Sequence, residues 1–232
     1  MIQFILLVVG GYLLGSIPTA YLVARWSRGI DIRKYGSGNV GASNILTVAS
    51  KWSSLLVIVV DIGKGMVPVY VARSMGLPVY QYVIVGLAAI SGHNWPVFLR
   101  FNGGRGLLTS LGVIFVLAPW LALALLVFAF AWYPFGLLPL GTLIGLILLP
   151  LSSWFFSAPL GIEKSLPITL GFGGLLLLHL VRRFTAPRTA SVPAKELFVN
   201  RLLFDRDIRD RKAWIKRAPL ATDEPKPGQL QH

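Results

Sequence analysis

Cysteine is absent from the 232 residues, so no disulfide, thiol nucleophile or thiolate metal site is available. Histidine occurs three times, at His93, His179 and His232, too few and too scattered to suggest a metal. Acids are scarce: nine Asp and Glu stand against 22 Lys and Arg. No carboxylate pair and no Ser-His-Asp order stands out, which disfavours a hydrolase that must activate water. Charge of either sign is sparse, at 13% of residues, while 55% are hydrophobic and the mean hydropathy is +0.69. That balance excludes an ordinary soluble domain. The apolar runs are continuous and Leu-rich, without the alternating ~10-residue segments of a β-barrel. What remains is an all-α polytopic membrane protein.

The net charge of +13 is unevenly placed. Twelve of the 22 Lys and Arg fall in the last 51 residues and five between Arg25 and Lys51, whereas Leu107 to Ile162 runs 56 residues without a charge. Such asymmetry fits cytoplasmic flanks facing anionic lipid, and nucleic acid is not an expected partner. The first 24 residues have no basic start and no small-residue cleavage site, so they read as a retained span.

Expected spans are Ile2–Ala24, Ser54–Ser74, Val79–Ile90, Gly106–Leu117, Trp120–Trp132, Phe135–Phe156 and Ser165–Val181, with Glu163 and Lys164 in an outer turn. The Lys/Arg bias then gives seven transmembrane helices, some short, with the N-terminus outside and the C-terminus cytoplasmic. A five-helix count, with Gly106–Trp132 as one span, is the alternative. Gly11 and Gly15 offer either a small-residue packing face or lipid-facing glycines. Two regions follow: a membrane domain at 1–181 and a basic tail at 182–232. The tail carries an amphipathic segment near 196–216 that suits an interfacial helix, and disorder is expected after Pro219.

Three polar islands interrupt the apolar chain. The first, Gly36-Ser37-Gly38-Asn39-Val40-Gly41-Ala42-Ser43-Asn44, has G-x-G-x-x-G spacing but no preceding strand, so it is not a dinucleotide fingerprint. It can form either a donor-rich anion cradle or a surface turn between spans. The second is Asp61 with Lys64, one turn apart on one helix face, meeting either a site or only each other. The third runs from Gly92 and His93 to the basic turn Gly103-Gly104-Arg105-Gly106, which opens the next apolar segment. A helix starting there would aim free N–H groups and its positive end at a ligand. Glycines, neutral donors and few cations suit phosphate.

The blocks GSGNVGASN (36–44), DIGKGMVP (61–68) and GHNWPVFLRFNGGRGLLTSLG (92–112) resemble the bacterial acyl-phosphate:glycerol-3-phosphate acyltransferases of the PlsY type, in the family's order and spacing. The resemblance covers roughly residues 1–181. It implies a multi-pass enzyme of the bacterial inner membrane that acylates the 1-hydroxyl of sn-glycerol 3-phosphate from acyl phosphate, giving lysophosphatidate and phosphate, without cofactor or metal. Implied catalytic residues are Ser37, His93 and Arg105. Implied phosphate contacts are Gly36, Gly38, Asn39, Gly41, Asn44, Lys64, Gly103, Gly104 and Gly106. Implied partners are the two substrates, membrane lipids and the enzyme that forms the acyl phosphate. The chain departs from the family pattern at Thr47, where an arginine is usual, at Asn102 and Arg105, where lysines are usual, and at the apolar stretch Phe135–Leu140. The family's last motif, a histidine with nearby asparagine and glutamate, has no clear counterpart after His179. Asn200-Arg201-Leu202-Leu203 echoes its end about twenty residues late. These departures frame a second reading: a catalytically silent paralogue that binds a phosphorylated lipid or metabolite.

Overall fold

The structure, a computed structural model, describes residues 1–162, 165–188 and 190–216. The outer turn expected at Glu163–Lys164 and the disorder expected after Pro219 fall outside these residues. The described chain is helical throughout: α1 (Ile2–Ser16), α2 (Thr19–Arg28), α3 (Ala42–Val48), α4 (Lys51–Ser74), α5 (Val79–Asn94), α6 (Leu107–Leu117), α7 (Pro119–Ala131), α8 (Leu138–Phe155), α9 (Ser165–Thr185), α10 (Ala194–Phe204) and α11 (Arg211–Lys216). Five stretches are long and apolar enough to cross a membrane: Ile2–Arg28, Lys51–Ser74, Val79–Leu99, Leu138–Phe155 and Leu166–Thr185. Two shorter apolar helices, Leu107–Leu117 and Pro119–Ala131, lie between them.

The first expected helix is not continuous. Pro18 has no N–H to give the preceding turn and disfavours helical geometry at Ile17. Ile17 is therefore extended, with φ −61° and ψ 115°, and the helix restarts at Thr19. Pro119 acts similarly: Ala118 leaves the helical region and α7 begins on the proline, whose fixed φ suits a first helical position.

Glycines set how the spans meet. A Cβ on Gly15 would strike the carbonyl of Ala89, and one on Gly92 would strike the carbonyl of Tyr12, so α1 and α5 touch backbone to backbone through glycines on both sides. Gly65 against the Thr109 carbonyl and Gly112 against the Ile62 carbonyl do the same for α4 and α6. Lipid gives helices no hydrophobic reason to associate, so such close packing is what holds them together. Of the two readings of Gly11 and Gly15, the packing face is the one seen: both are buried.

One apolar core, with Val69, Ile90, Ile114, Leu146 and Phe172, lies among α4, α5, α6, α8 and α9. A second, with Ala20, Ile32, Ile45, Val57 and Leu99, lies under the segment joining α2 to α4. Large apolar side chains elsewhere on the spans stay exposed, among them Leu6, Val59, Val127 and Leu170, as lipid-facing positions require.

The single amphipathic helix expected near 196–216 is two pieces. Asp205 takes a left-handed φ of 54° and ends α10. A bend follows to α11. The α10 helix packs on α8 and α9, burying Leu197, Asn200 and Arg201.

Candidate functional site

The first glycine island is a turn pinned from inside by Asn44. Gly36 and Gly38 have φ of 56° and 71°, a region closed to most side chains. Asn44 Oδ1 accepts from the Ser37 N–H at 2.9 Å, and its Nδ2 donates to the carbonyls of Ile32, Tyr35 and Asn39 at 3.0–3.2 Å. Asn44 is 1% exposed with both polar atoms committed, so it shapes the turn and does not face a ligand, contrary to its expected role. Gly36 has no room for a Cβ because the Asn44 carbonyl oxygen fills that space. Ser37 and Asn39 remain part-exposed, with the Asn39 N–H donating to Ser37 Oγ at 3.3 Å. Just upstream, Asp31 takes both the backbone N–H and the guanidinium of Arg33. Burial pushes the Asp31 carboxyl up, but the Arg33 hydrogen bonds and the charges of Arg33 and Lys34 outweigh it and leave its pKa below the ordinary value.

The glycine turn of the third island, Gly103–Gly106, lies between two different environments. On its inner side, His93 accepts the Gly104 N–H on its backbone carbonyl at 3.1 Å, and a Cβ on Gly104 would meet the His93 ring. Behind it Lys64 Nζ donates to Asp61 Oδ1 at 2.7 Å and to the Ile17 carbonyl, freed by the break at Pro18. Asp61 and Lys64 are 1% and 3% exposed, and His93 Nδ1 stands 3.9 Å from Asp61 Oδ1. The space they share with Gly103 and Gly104 is about 10 Å³, room for about one water and not for a phosphate. Lys64 and His93 therefore do not come to the ligand-sized pocket, against the expectation for both. The i, i+3 pairing of Asp61 with Lys64 is as expected.

On the outer side, a pocket of about 160 Å³ opens between Ser37, Asn39, Ser43 and Thr47 on one wall and Arg105, Phe204 to Arg206, Arg211 and Trp214 on the other. Tyr133 and Gly136, from the turn joining α7 to α8, and Pro139 in the first turn of α8 close a third side. The size is below the ~300–1,000 Å³ usual for drug-sized ligands and suits a small polar one. Among the described residues no group of three or more His, Asp or Glu is placed to hold a metal ion.

Two features escaped sequence reasoning. Arg182, in the last turn of α9 and 3% exposed, donates its Nε to the Gly104 carbonyl at 2.8 Å and Nη2 to the Gly103 carbonyl at 2.6 Å, fixing the second turn from outside. The paired arginines 182–183 were the only signal, and they read as a membrane-edge charge. The tail also returns to the site. Arg201 binds Asp207 Oδ1 at 2.7 Å and the carbonyls of Phe184 and Pro187, while Asn200 donates to the Asp207 carbonyl at 3.0 Å. Arg183 ties the Leu202 carbonyl to that of Pro139. This holds Asp205 beside Arg105, with Arg105 Nε 3.3 Å from Asp205 Oδ2 and Arg105 Nη2 donating to its carbonyl. The Asn200–Arg201 echo, late in sequence, thus anchors the segment whose Asp205 meets Arg105. His179 pairs with Ser110 Oγ at 2.9 Å in the interior, joining α9 to α6.

The family model for glycerol-3-phosphate acyltransferase matches residues 5–186. A glycerol-3-phosphate acyltransferase of Dehalococcoides mccartyi (strain CBDB1) is 47% identical over 224 residues, covering 95% of this chain and 97% of the relative, so that likeness includes most of the tail. One of Desulforudis audaxviator (strain MP104C) is 38% identical over 178 residues, covering 76% and 81%. Crystal structures of PlsY, an integral membrane glycerol 3-phosphate acyltransferase, are similar in fold. The glycerol 3-phosphate form aligns with TM-score 0.72 at 30% identity, covering 89% of this chain and 94% of that one. The lysophosphatidic acid form aligns with TM-score 0.70 at 29% identity over the same shares.

Proposed function

The chain belongs to the glycerol-3-phosphate acyltransferase family and is a membrane acyltransferase of phospholipid synthesis. From that premise we propose that it transfers a fatty acyl group from acyl phosphate to the 1-hydroxyl of sn-glycerol 3-phosphate. The observation that carries the proposal is the outer pocket, where Ser37 and Asn39 of the first glycine turn face Arg105 of the second across a space fit for a small anion. The hydroxyl oxygen forms a bond to the acyl carbonyl carbon, the bond from that carbon to the phosphate oxygen breaks, and the departing phosphate takes the hydroxyl proton. An acyl phosphate is a mixed anhydride with a good leaving group, so no covalent enzyme nucleophile is needed. The products are lysophosphatidate and inorganic phosphate.

Ser37 and Asn39 position a phosphate on one wall and Arg105 holds the glycerol phosphate on the other. Donors aimed at developing charge in a water-poor site contribute roughly 2–4 kcal/mol each. Gly36, Gly38 and Gly41 shape the first turn around Asn44. Gly103, Gly104 and Gly106 shape the second, with His93 and Lys64 acting through it from behind. His93 is on this account a positioning residue.

We place the enzyme as a seven-pass protein of the bacterial inner membrane, with α6 and α7 as short spans, the N-terminus outside and the tail cytoplasmic. Exposed aromatic residues support this. Trp26, Trp52, Phe98, Phe101 and Phe135 stand at helix ends on the pocket's side, and Tyr70, Tyr80, Trp120, Trp154 and Phe155 at the opposite ends, as interfacial belts require. Residues 1–181 then form the acyltransferase body. Helix α10 of the tail lies along the inner leaflet, Phe198 and Val199 outward. The enzyme that makes acyl phosphate is the proposed supplying partner. The test is purified protein in lipid cubic phase with palmitoyl phosphate and glycerol 3-phosphate. Wild type releases both lysophosphatidate and phosphate, and Ser37→Ala is slowed. Folded wild type yielding neither product overturns the reading.

A further inference from the structure

The two walls of the outer pocket differ in charge. Ser37, Asn39, Ser43 and Thr47 bring none, whereas the opposite wall brings Arg105, Arg206 and Arg211 against Asp205 alone. Three cations less one anion leave a net +2 among the charged lining residues. A phosphate monoester near neutral pH carries ≈ −1.5 to −2.

Arg206 is the unusual member. It is 7% exposed, and its Nε is buried without a hydrogen-bond partner. The Phe204 ring lies 5.3 Å from its guanidinium carbon, which supports the group as a cation but accepts none of its in-plane N–H bonds. A buried guanidinium N–H left unpaired is costly unless a ligand takes it. Arg206 stays there because its neighbours are fastened: Asp205 to Arg105, and Asp207 to Arg201. Burial and the neighbouring Arg211 push its pKa below the ordinary guanidinium value, and Asp210 and Asp205 offset them only in part. Arg211 sits at the start of α11, lines the same pocket and is exposed.

We propose that the C-terminal segment 204–215 completes the anion site: Arg206, assisted by Arg211, donates to the phosphate of a substrate that Arg105, Ser37 and Asn39 receive from the other sides. The tail is on this account part of the binding machinery. The proposal rests on the acyltransferase reading for the identity of the phosphate, which is that of glycerol 3-phosphate or of the acyl phosphate.

The experiment measures kcat and KM for each substrate separately in wild type, Arg206→Gln, Arg206→Lys, Arg211→Gln and, as a tail control, Arg209→Gln. Arg209 is exposed and outside the pocket lining. Arg206→Gln is expected to raise the KM of one substrate roughly 10-fold or more, leaving the other within about twofold. Which KM moves identifies which phosphate is held. Arg206→Lys recovers part of the loss, Arg211→Gln gives a shift of about threefold, and Arg209→Gln gives none. Unchanged KM values in Arg206→Gln and Arg211→Gln overturn the inference and leave the acyltransferase reading standing. If Arg206→Gln fails to fold, wild-type KM values in both Arg206→Lys and Arg211→Gln overturn it equally. The melting temperature with and without inorganic phosphate is read in parallel. If wild type transfers no acyl group, the acyltransferase reading fails, and the anion site is judged by this shift alone. A shift in wild type that Arg206→Gln abolishes sustains the site, and no shift in wild type sinks it.

Discussion

Two charged groupings sit back to back across the Gly103–Gly106 turn, and they are built on opposite terms. In the inner one, Lys64 is fastened by short contacts to Asp61 and to the Ile17 carbonyl beside His93, in a space of about 10 Å³ that also holds the unpaired hydroxyls of Ser16 and Thr19. The outer one, Arg105 with the tail, is held by longer contacts of 3.3 Å and leaves a buried Arg206 donor unpaired. The inner charges are fastened to one another and to the backbone; the outer ones border a pocket of about 160 Å³. A polar residue in a membrane span is a sign of function by default, yet here the residues most deeply placed are the least able to meet a substrate.

The contrast can be broken most forcefully from the inner side. Asp61→Ala strands a buried ammonium, and losing one partner of such a pair costs about 3–5 kcal/mol. The melting temperature in detergent should fall by on the order of 10 °C. Replacing the pair together, Asp61→Leu with Lys64→Met, should restore much of that. An Asp61→Ala protein as stable as wild type would show that the inner grouping is not structural. Arg105→Ala should behave in the opposite way, raising the KM for glycerol 3-phosphate roughly 10–100-fold, as expected for loss of charged hydrogen bonds. Its melting temperature should barely move, and a large fall would place Arg105 with the inner grouping. Ser37→Ala should lower kcat/KM by about tenfold, again with little effect on melting.

The smallest expected effect is at Asp31, part-exposed at the entry to the first turn. Its pKa lies below the ordinary 3.8, so its contribution to stability is present above the ordinary carboxylate range and fades as pH falls through the lowered value. Asp31→Asn should be nearly as stable as wild type at neutral pH and lose a small part of the acid-side pH dependence. A large loss at neutral pH would mean that the first turn depends on this one pair.

Local rules made part of this legible. The i, i+3 spacing alone paired Asp61 with Lys64, and four-residue spacing alone put Gly11 and Gly15 on one face. The glycines of both turns declared themselves because few other residues tolerate those positions. The break at Ile17 was missed although Pro18 was in plain view, since the run around it is apolar enough to read as one span. The Arg182 and Asp205 contacts could not be read from spacing: they join residues 78 and 100 positions apart and depend on how α9 and α10 pack. Asn44 and His93 were placed in the right neighbourhood, but a sequence does not say which way a side chain turns.

The glycine seams bear on how the protein is made. Neither seam joins consecutive spans: α1 closes on α5, and α4 on α6. Sixty-two residues separate Ser16 from Val79. At a synthesis rate of ≈ 5–20 residues per second, α1 waits roughly 3–12 s for its partner. During that interval its grooved face is met by lipid chains, and its anchorage depends on its own apolar length. The segment must therefore be hydrophobic enough to enter the bilayer alone and small enough along one edge to be claimed later, two demands that a stretch rich in Leu and Ile, with Gly11 and Gly15 one turn apart, meets together.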